Sequence, residues 1–163
     1  MKKKLTAFAV TLGTFLTLAN IGLAQERLRG PLPAEQRELI SFLADHHKDL
    51  KRKVTLREDG YSAETTSENA EVVTKLVKHI QYMKKRLGSG AMVRRWDPAF
   101  VEMVEYHDQL QTEIELLKNG VRVVVKGKTP NAVKVARNHA RIVSGFVEIG
   151  SEAVGREHKT ATE

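Results

Sequence analysis

The sequence predicts an α+β domain made by tandem duplication of one helix–β-hairpin–helix unit. The expected form is pseudo-two-fold, with four helices and either one four-stranded antiparallel sheet or two hairpins over the same helical layer. Three observations predict it. A shift of 60 residues, without a gap, lays 47–87 on 107–147 and superposes His47 on His107, Leu50 on Leu110, Leu56 on Leu116, Gly60 on Gly120, Val73 on Val133 and His79 on His139. Within each half the apolar spacing turns from helical to alternating and back. Two isolated strands are marginal in water, so each hairpin needs the other hairpin or a helix to cover it.

Taken in order, Gln25 to Pro33 reads as a charged, Pro/Gly-containing lead-in. Pro33 suits a first helical turn, where its missing N–H is not needed. From Ala34 to about Leu50 the residues Leu39, Ile40, Leu43 and Leu50 recur at helical spacing. Lys53 to Glu58 alternates as a strand, with Val54 and Leu56 on one face. Asp59-Gly60 is expected to form a type I′ hairpin turn, and Tyr61 to Thr66 is the returning strand. Asn69 caps a helix through Leu87 whose apolar face is Val72, Val73, Leu76, Val77, Ile80 and Met83. These elements make the first repeat, 34–87.

Residues 88–97, with Gly88-Ser89-Gly90, form the joint. The second repeat, 98–153, replays the first. Asp97-Pro98 supplies an N-cap and first-turn proline for a helix to Leu110. Ile114 and Leu116 alternate in a strand, Asn119-Gly120 turns it, and Val121 to Val125 runs back. Thr129-Pro130 starts the last helix, expected to reach Ala153, and residues 154–163 read as a disordered tail.

The chain opens Met1-Lys2-Lys3-Lys4, continues apolar from Leu5 to Ala24 and closes on Gly22-Leu23-Ala24. A basic start, an apolar middle and a small-residue exit make 1–24 a secretory signal peptide, and the mature chain periplasmic or secreted. Without cleavage the run would approach the ~20 residues of a membrane anchor, but Gly13, Asn20 and Gly22 suit that role poorly. No cysteine is present. That excludes disulfides, thiolate metal sites, covalent c-type haem, a Cys nucleophile and a lipoprotein anchor. Loss of Lys2, Lys3 and Lys4 lowers the formal charge from +7 to +4, which is no nucleic-acid footprint by itself. The basic clusters Lys51-Arg52-Lys53, Lys84-Lys85-Arg86 and Lys126 with Lys128 read as solvated faces, able to meet an envelope protein or an anionic polymer. No nucleophile elbow, Walker loop or zinc-protease helix motif stands in the chain, so no catalytic residue is assigned.

The candidate chemistry rests on histidine. His47 continues the line Ile40–Leu43–Leu50, and His107 the line Phe100–Met103–Leu110. His79 lies with Val72, Leu76 and Met83, and His139 with Ala132, Ala136 and Val143. Helix interfaces are where bundles build metal and cofactor sites, and neutral imidazole ligates both transition metals and haem iron. The four rings would either converge on the pseudo-axis or pair within each unit. Met83 and Met103 share faces with His79 and His107; thioether ligands favour copper over zinc, or b-type haem. Trp96 with Arg94 and Arg95 would form a ligand wall facing an anionic group, although Trp96 also suits simple packing before the Asp97 cap. The expected function is binding of a transition metal or non-covalent haem for carriage, sensing or electron transfer. The alternative is an envelope interaction module whose histidines merely hydrogen-bond neighbouring carbonyls.

Overall fold

A computed structural model describes residues 30–162. The signal segment and most of the lead-in lie outside the described residues. Among these, no helix is long and apolar enough to cross a membrane.

The fold is α+β. In chain order, α1 (Ala34–Asp45) and a 3₁₀ turn (His47–Asp49) lead into the hairpin β1 (Lys51–Arg57) and β2 (Gly60–Thr66), followed by α2 (Ala70–Gly88). Then α3 (Pro98–Glu105) and a second 3₁₀ turn (His107–Gln109) lead into β3 (Leu110–Leu117) and β4 (Gly120–Gly127), followed by α4 (Pro130–Ile149) and the short α5 (Ser151–Val154). The strands form one antiparallel sheet in the order β1-β2-β4-β3. The two hairpins therefore join through their returning strands, and Ala63 stands opposite Val123, its own counterpart under the 60-residue shift. The internal registers of the two hairpins match: Arg57 stands opposite Gly60 and Leu117 opposite Gly120.

Strand alternation divides the sheet. Tyr61, Ala63, Thr65, Val121, Val123 and Val125 face the helices. The small Ala136 and Ala140 let α4 lie close over Tyr61, Ala63 and Val125, while Leu43, Val72 and Leu76 pack on Val121. The opposite face is polar, and Arg122 bridges Glu64 and Glu115 across three strands there. Its charge is largely neutralised within the sheet.

Helix starts follow the capping chemistry of the sequence. Asn69 accepts from the amides of Glu71 (3.0 Å) and Val72 (3.4 Å), Asp97 from Ala99 (3.2 Å) and Thr129 from Ala132 (3.3 Å). Pro33 stands just before α1 rather than within its first turn.

Other expectations are corrected. The described residues hold five α-helices rather than four, because Gly150 (φ +65°) breaks the last one. There the backbone presses so closely on Ala44 and His47 that a Cβ would fall 2.6 Å from the Ala44 carbonyl oxygen. The helices expected to reach Leu50 and Leu110 end at Asp45 and Glu105 and tighten into 3₁₀ turns, so His47 and His107 leave the helical stripes assigned to them. The hairpins turn at Glu58-Asp59 and Lys118-Asn119, one residue earlier than expected. No non-glycine residue described has positive φ, so neither is a type I′ turn. Gly60 and Gly120 open the returning strands instead, where a Cβ would strike the Val125 or Thr65 carbonyl oxygen at 2.0 or 2.1 Å. Leu56 and Leu116 are exposed rather than half-buried.

The tail is not frayed. Buried Asp97 accepts from the His158 amide (3.2 Å) and Nδ1 (2.8 Å), and buried Glu102 from the amides of Ala161 (2.7 Å) and Thr162 (2.9 Å). Two buried carboxylates thus draw the last residues back onto α3.

Candidate functional site

The long helices α2 and α4 cross the same face of the sheet, and between them lies a cavity of about 210 Å³. That exceeds the roughly 150 Å³ that holds a benzene-sized molecule. Its wall is mostly apolar and includes no aspartate or glutamate. Many wall residues are counterparts under the 60-residue shift: Ile40 with Phe100, Leu43 with Met103, His79 with His139.

His79 and His139 enter this wall from α2 and α4. Each ring keeps some exposed surface toward the cavity, yet protein surrounds it. Burial pushes both imidazoles down to about 4, and at His139 the nearby Arg52 charge adds to that effect. Both are neutral at physiological pH. The Nδ1 of His79 is buried without a hydrogen-bond partner, and His139 makes only an edge contact to Phe100 at 5.7 Å.

The other histidines differ. His47 Nδ1 lies 3.0 Å from the Val147 carbonyl oxygen, His107 Nδ1 2.8 Å from that of Val104, and His46 Nδ1 2.9 Å from that of Phe42. The His47 ring packs against Gly150 and the His107 ring against Gly90, again positions 60 apart and both of positive φ. Neither ring belongs to the cavity wall. The expected convergence of four imidazoles, and the alternative pairing within each unit, are corrected: His79 and His139 share the cavity wall, while His47 and His107 lie outside it and hydrogen-bond main-chain carbonyls. Among the described residues no group of three or more His, Asp or Glu is arranged to hold a metal ion.

Met83, Met103 and Arg94 also line the cavity. Arg94 is half-buried, lies 3.6 Å from Asp97, donates to the Val154 carbonyl and stacks 4.6 Å from the Trp96 ring. Trp96 is 49 % exposed, and Arg95 is exposed too, so neither is part of the wall expected of them.

Three wall residues escaped sequence reasoning: Arg52, Tyr61 and Thr65. Lys51 and Lys53 point to solvent, but Arg52 shares the inward face of Val54. Its guanidinium donates to Thr65 Oγ1 (2.8 Å) and Ser144 Oγ (3.4 Å) and meets the Tyr61 hydroxyl. Burial lowers its pKa, with Tyr61 opposing; the same burial pushes the Tyr61 phenol up to about 12. The signal was strand parity, lost because the alternation reads from Lys53 whereas the strand starts at Lys51. Arg86 likewise is no solvated residue. It is buried and donates to the Met92 carbonyl (2.9 Å from Nε) and the Gly30 carbonyl (2.6 Å).

No family model, curated protein or solved structure matches this chain.

Proposed function

We propose that this protein is an exported carrier or sensor that binds non-covalent haem in the cavity, with His79 and His139 as the imidazole pair that takes the iron. One observation carries this reading. Among the described residues, the two imidazoles that face the cavity are those without a hydrogen bond, while His46, His47, His107 and His158 are each tied to a carbonyl or carboxylate. A buried ring nitrogen without a partner costs stability, on the order of 1–3 kcal/mol. His79 carries that cost, and its counterpart under the 60-residue shift, His139, enters the same wall without a hydrogen bond, which fits a role in binding better than a role in packing.

The ligand count favours haem over a bare ion. Tetrahedral or square-planar sites draw three or four ligands from the protein, and the cavity offers two imidazoles with the thioethers of Met83 and Met103 beside them. A porphyrin brings four nitrogens of its own and asks the protein for one or two axial groups and apolar walls. A bare copper ion held by His79, His139 and a methionine is the second form of the same proposal, supported by the softness of that donor set. A porphyrin is larger than the space between α2 and α4, so the haem form of the proposal requires that gap to widen on uptake.

Gene-internal duplication of a helix–hairpin–helix unit is the proposed origin of the site, supported by the matched registers and by the crossed pairs His47 with Gly150 and His107 with Gly90. Duplication explains why each long helix brings one histidine to the cavity wall. The proposed location is the periplasm or the exterior, resting on the residues of 1–24 alone.

Titration of the purified protein with haemin, and separately with Cu, Zn and Ni ions, tests the reading. The expected result is a stoichiometric shift of the haem absorption band that disappears in the His79→Ala, His139→Ala double variant and persists in His47→Ala. Silence toward haemin and all three ions, with the fold intact by circular dichroism, overturns it.

A further inference from the structure

We infer that the cavity takes a ligand carrying a carboxylate, and that Arg52, with the Tyr61 hydroxyl beside it, receives that group. The inference relies on the cavity being a ligand site, as proposed above, but not on iron.

The argument starts from charge. A guanidinium stays protonated in proteins, so burial on the inward face of β1 leaves Arg52 a fixed positive charge in a low-dielectric setting. Buried charges are ordinarily paired. Arg94, the other guanidinium in the wall, has buried Asp97 at 3.6 Å, half-buried Arg122 has two glutamates, and Lys84, the remaining cation of the wall, is exposed to solvent. The groups meeting Arg52 are Thr65, Ser144 and Tyr61, all uncharged, and no carboxylate stands anywhere in the cavity wall. The Tyr61 phenol is held protonated by burial and His139 is held neutral, so neither neighbouring ring supplies a negative charge.

The surroundings match an acid with an apolar body. Thr65 takes a bond from Nη1 on the β2 side and Ser144 one from Nε on the α4 side, so two of the five guanidinium N–H groups are used by these hydroxyls. Guanidinium forks match carboxylates in bidentate geometry. Leu76, Val123, Val125 and Val143 supply the apolar remainder. Under the 60-residue shift the wall cations Arg52, Lys84 and Arg94 fall on Thr112, Ser144 and Val154, so the cationic groups of the wall are not repeated. That asymmetry would orient a ligand within the pocket. Porphyrin propionates and fatty acids both carry the required group.

Two acid/neutral pairs test this: haemin against its dimethyl ester by absorption, and decanoate against decanol by calorimetry. The wild-type protein should prefer the acid in at least one pair by about tenfold or more. Arg52→Met should abolish that preference, Arg52→Lys should restore part of it, and Tyr61→Phe should weaken acid binding severalfold while leaving the neutral analogue unchanged. If Arg52→Met fails to fold, the Tyr61→Phe comparison decides. Equal binding of acid and neutral forms in both pairs, absence of binding in both, or a preference that survives loss of the relevant side chain overturns the inference. Decanoate binding that depends on Arg52 while haemin stays silent removes the haem reading and keeps this one; ester and haemin bound alike through His79 and His139 does the reverse.

Discussion

Acidification should destabilise this protein through two particular rings. His79 and His139 have folded pKa values of about 4 against 6.5 for a free imidazole, burial being the main cause. Between those values the unfolded chain binds protons that the folded chain refuses, so stability rises with pH across the window and falls as pH drops from about 6.5 toward 4. At about pH 5 each ring contributes a loss of roughly 2 kcal/mol relative to neutral pH, and the pair about 4 kcal/mol. That is a large fraction of the 5–15 kcal/mol typical of domains. Urea unfolding followed by circular dichroism, at about pH 7.5 and pH 5, measures it. The His79→Leu, His139→Leu double variant carries the same carboxylates but lacks the rings, and should lose much less stability over the same interval. An equal loss in both proteins would refute the assignment of acid sensitivity to these imidazoles. Haem binding should reduce the loss in the wild type, because iron competes with the proton.

Further outcomes follow from the same contacts. At neutral pH His79→Leu should be no less stable than wild type, and up to about 1 kcal/mol more stable by urea unfolding, because it removes a buried nitrogen without a partner. Gly150→Ala should cost roughly 2 kcal/mol or more in the same assay: φ there is +65°, and the new Cβ meets the His47 ring at 2.5 Å. Ending the chain after Gly155 removes the His158 bonds to Asp97, which keeps Ala99 and Arg94, and the Ala161 and Thr162 bonds to Glu102, and should lower thermal stability by about 3 kcal/mol; an unchanged melting temperature would show that the tail merely rests on α3. Leu76→Ala should cost about 2–5 kcal/mol and enlarge the cavity, measurable as altered decanoate affinity.

The parts of the fold legible in advance were those governed by local chemistry. Asn69, Asp97 and Thr129 cap helices because a short polar side chain before an apolar stripe satisfies free amides wherever the helix is packed. Missed features depended on neighbours distant in sequence. Gly60 and Gly120 looked like turn residues, but each is glycine because the other hairpin's backbone passes within a Cβ radius. The tail looked frayed because the carboxylates that hold it lie about 60 residues earlier. In the site, the positions of His79, His139, Met83 and Met103 followed from helical periodicity, whereas Arg52 became visible only when strand pairing set its parity.

By itself the sequence determined the α+β character, the order of elements and the placing of one histidine on each long helix, since spacing and capping act within a few residues. Tertiary structure decided which histidines count. Ending α1 and α3 early carries His47 and His107 to main-chain carbonyls, and the antiparallel union of β2 with β4 makes the single sheet beside which α2 and α4 bring His79 and His139 to one cavity wall. A ring's hydrogen-bond partner and its solvent are properties of what folds against it, and these are supplied from the other half of the chain.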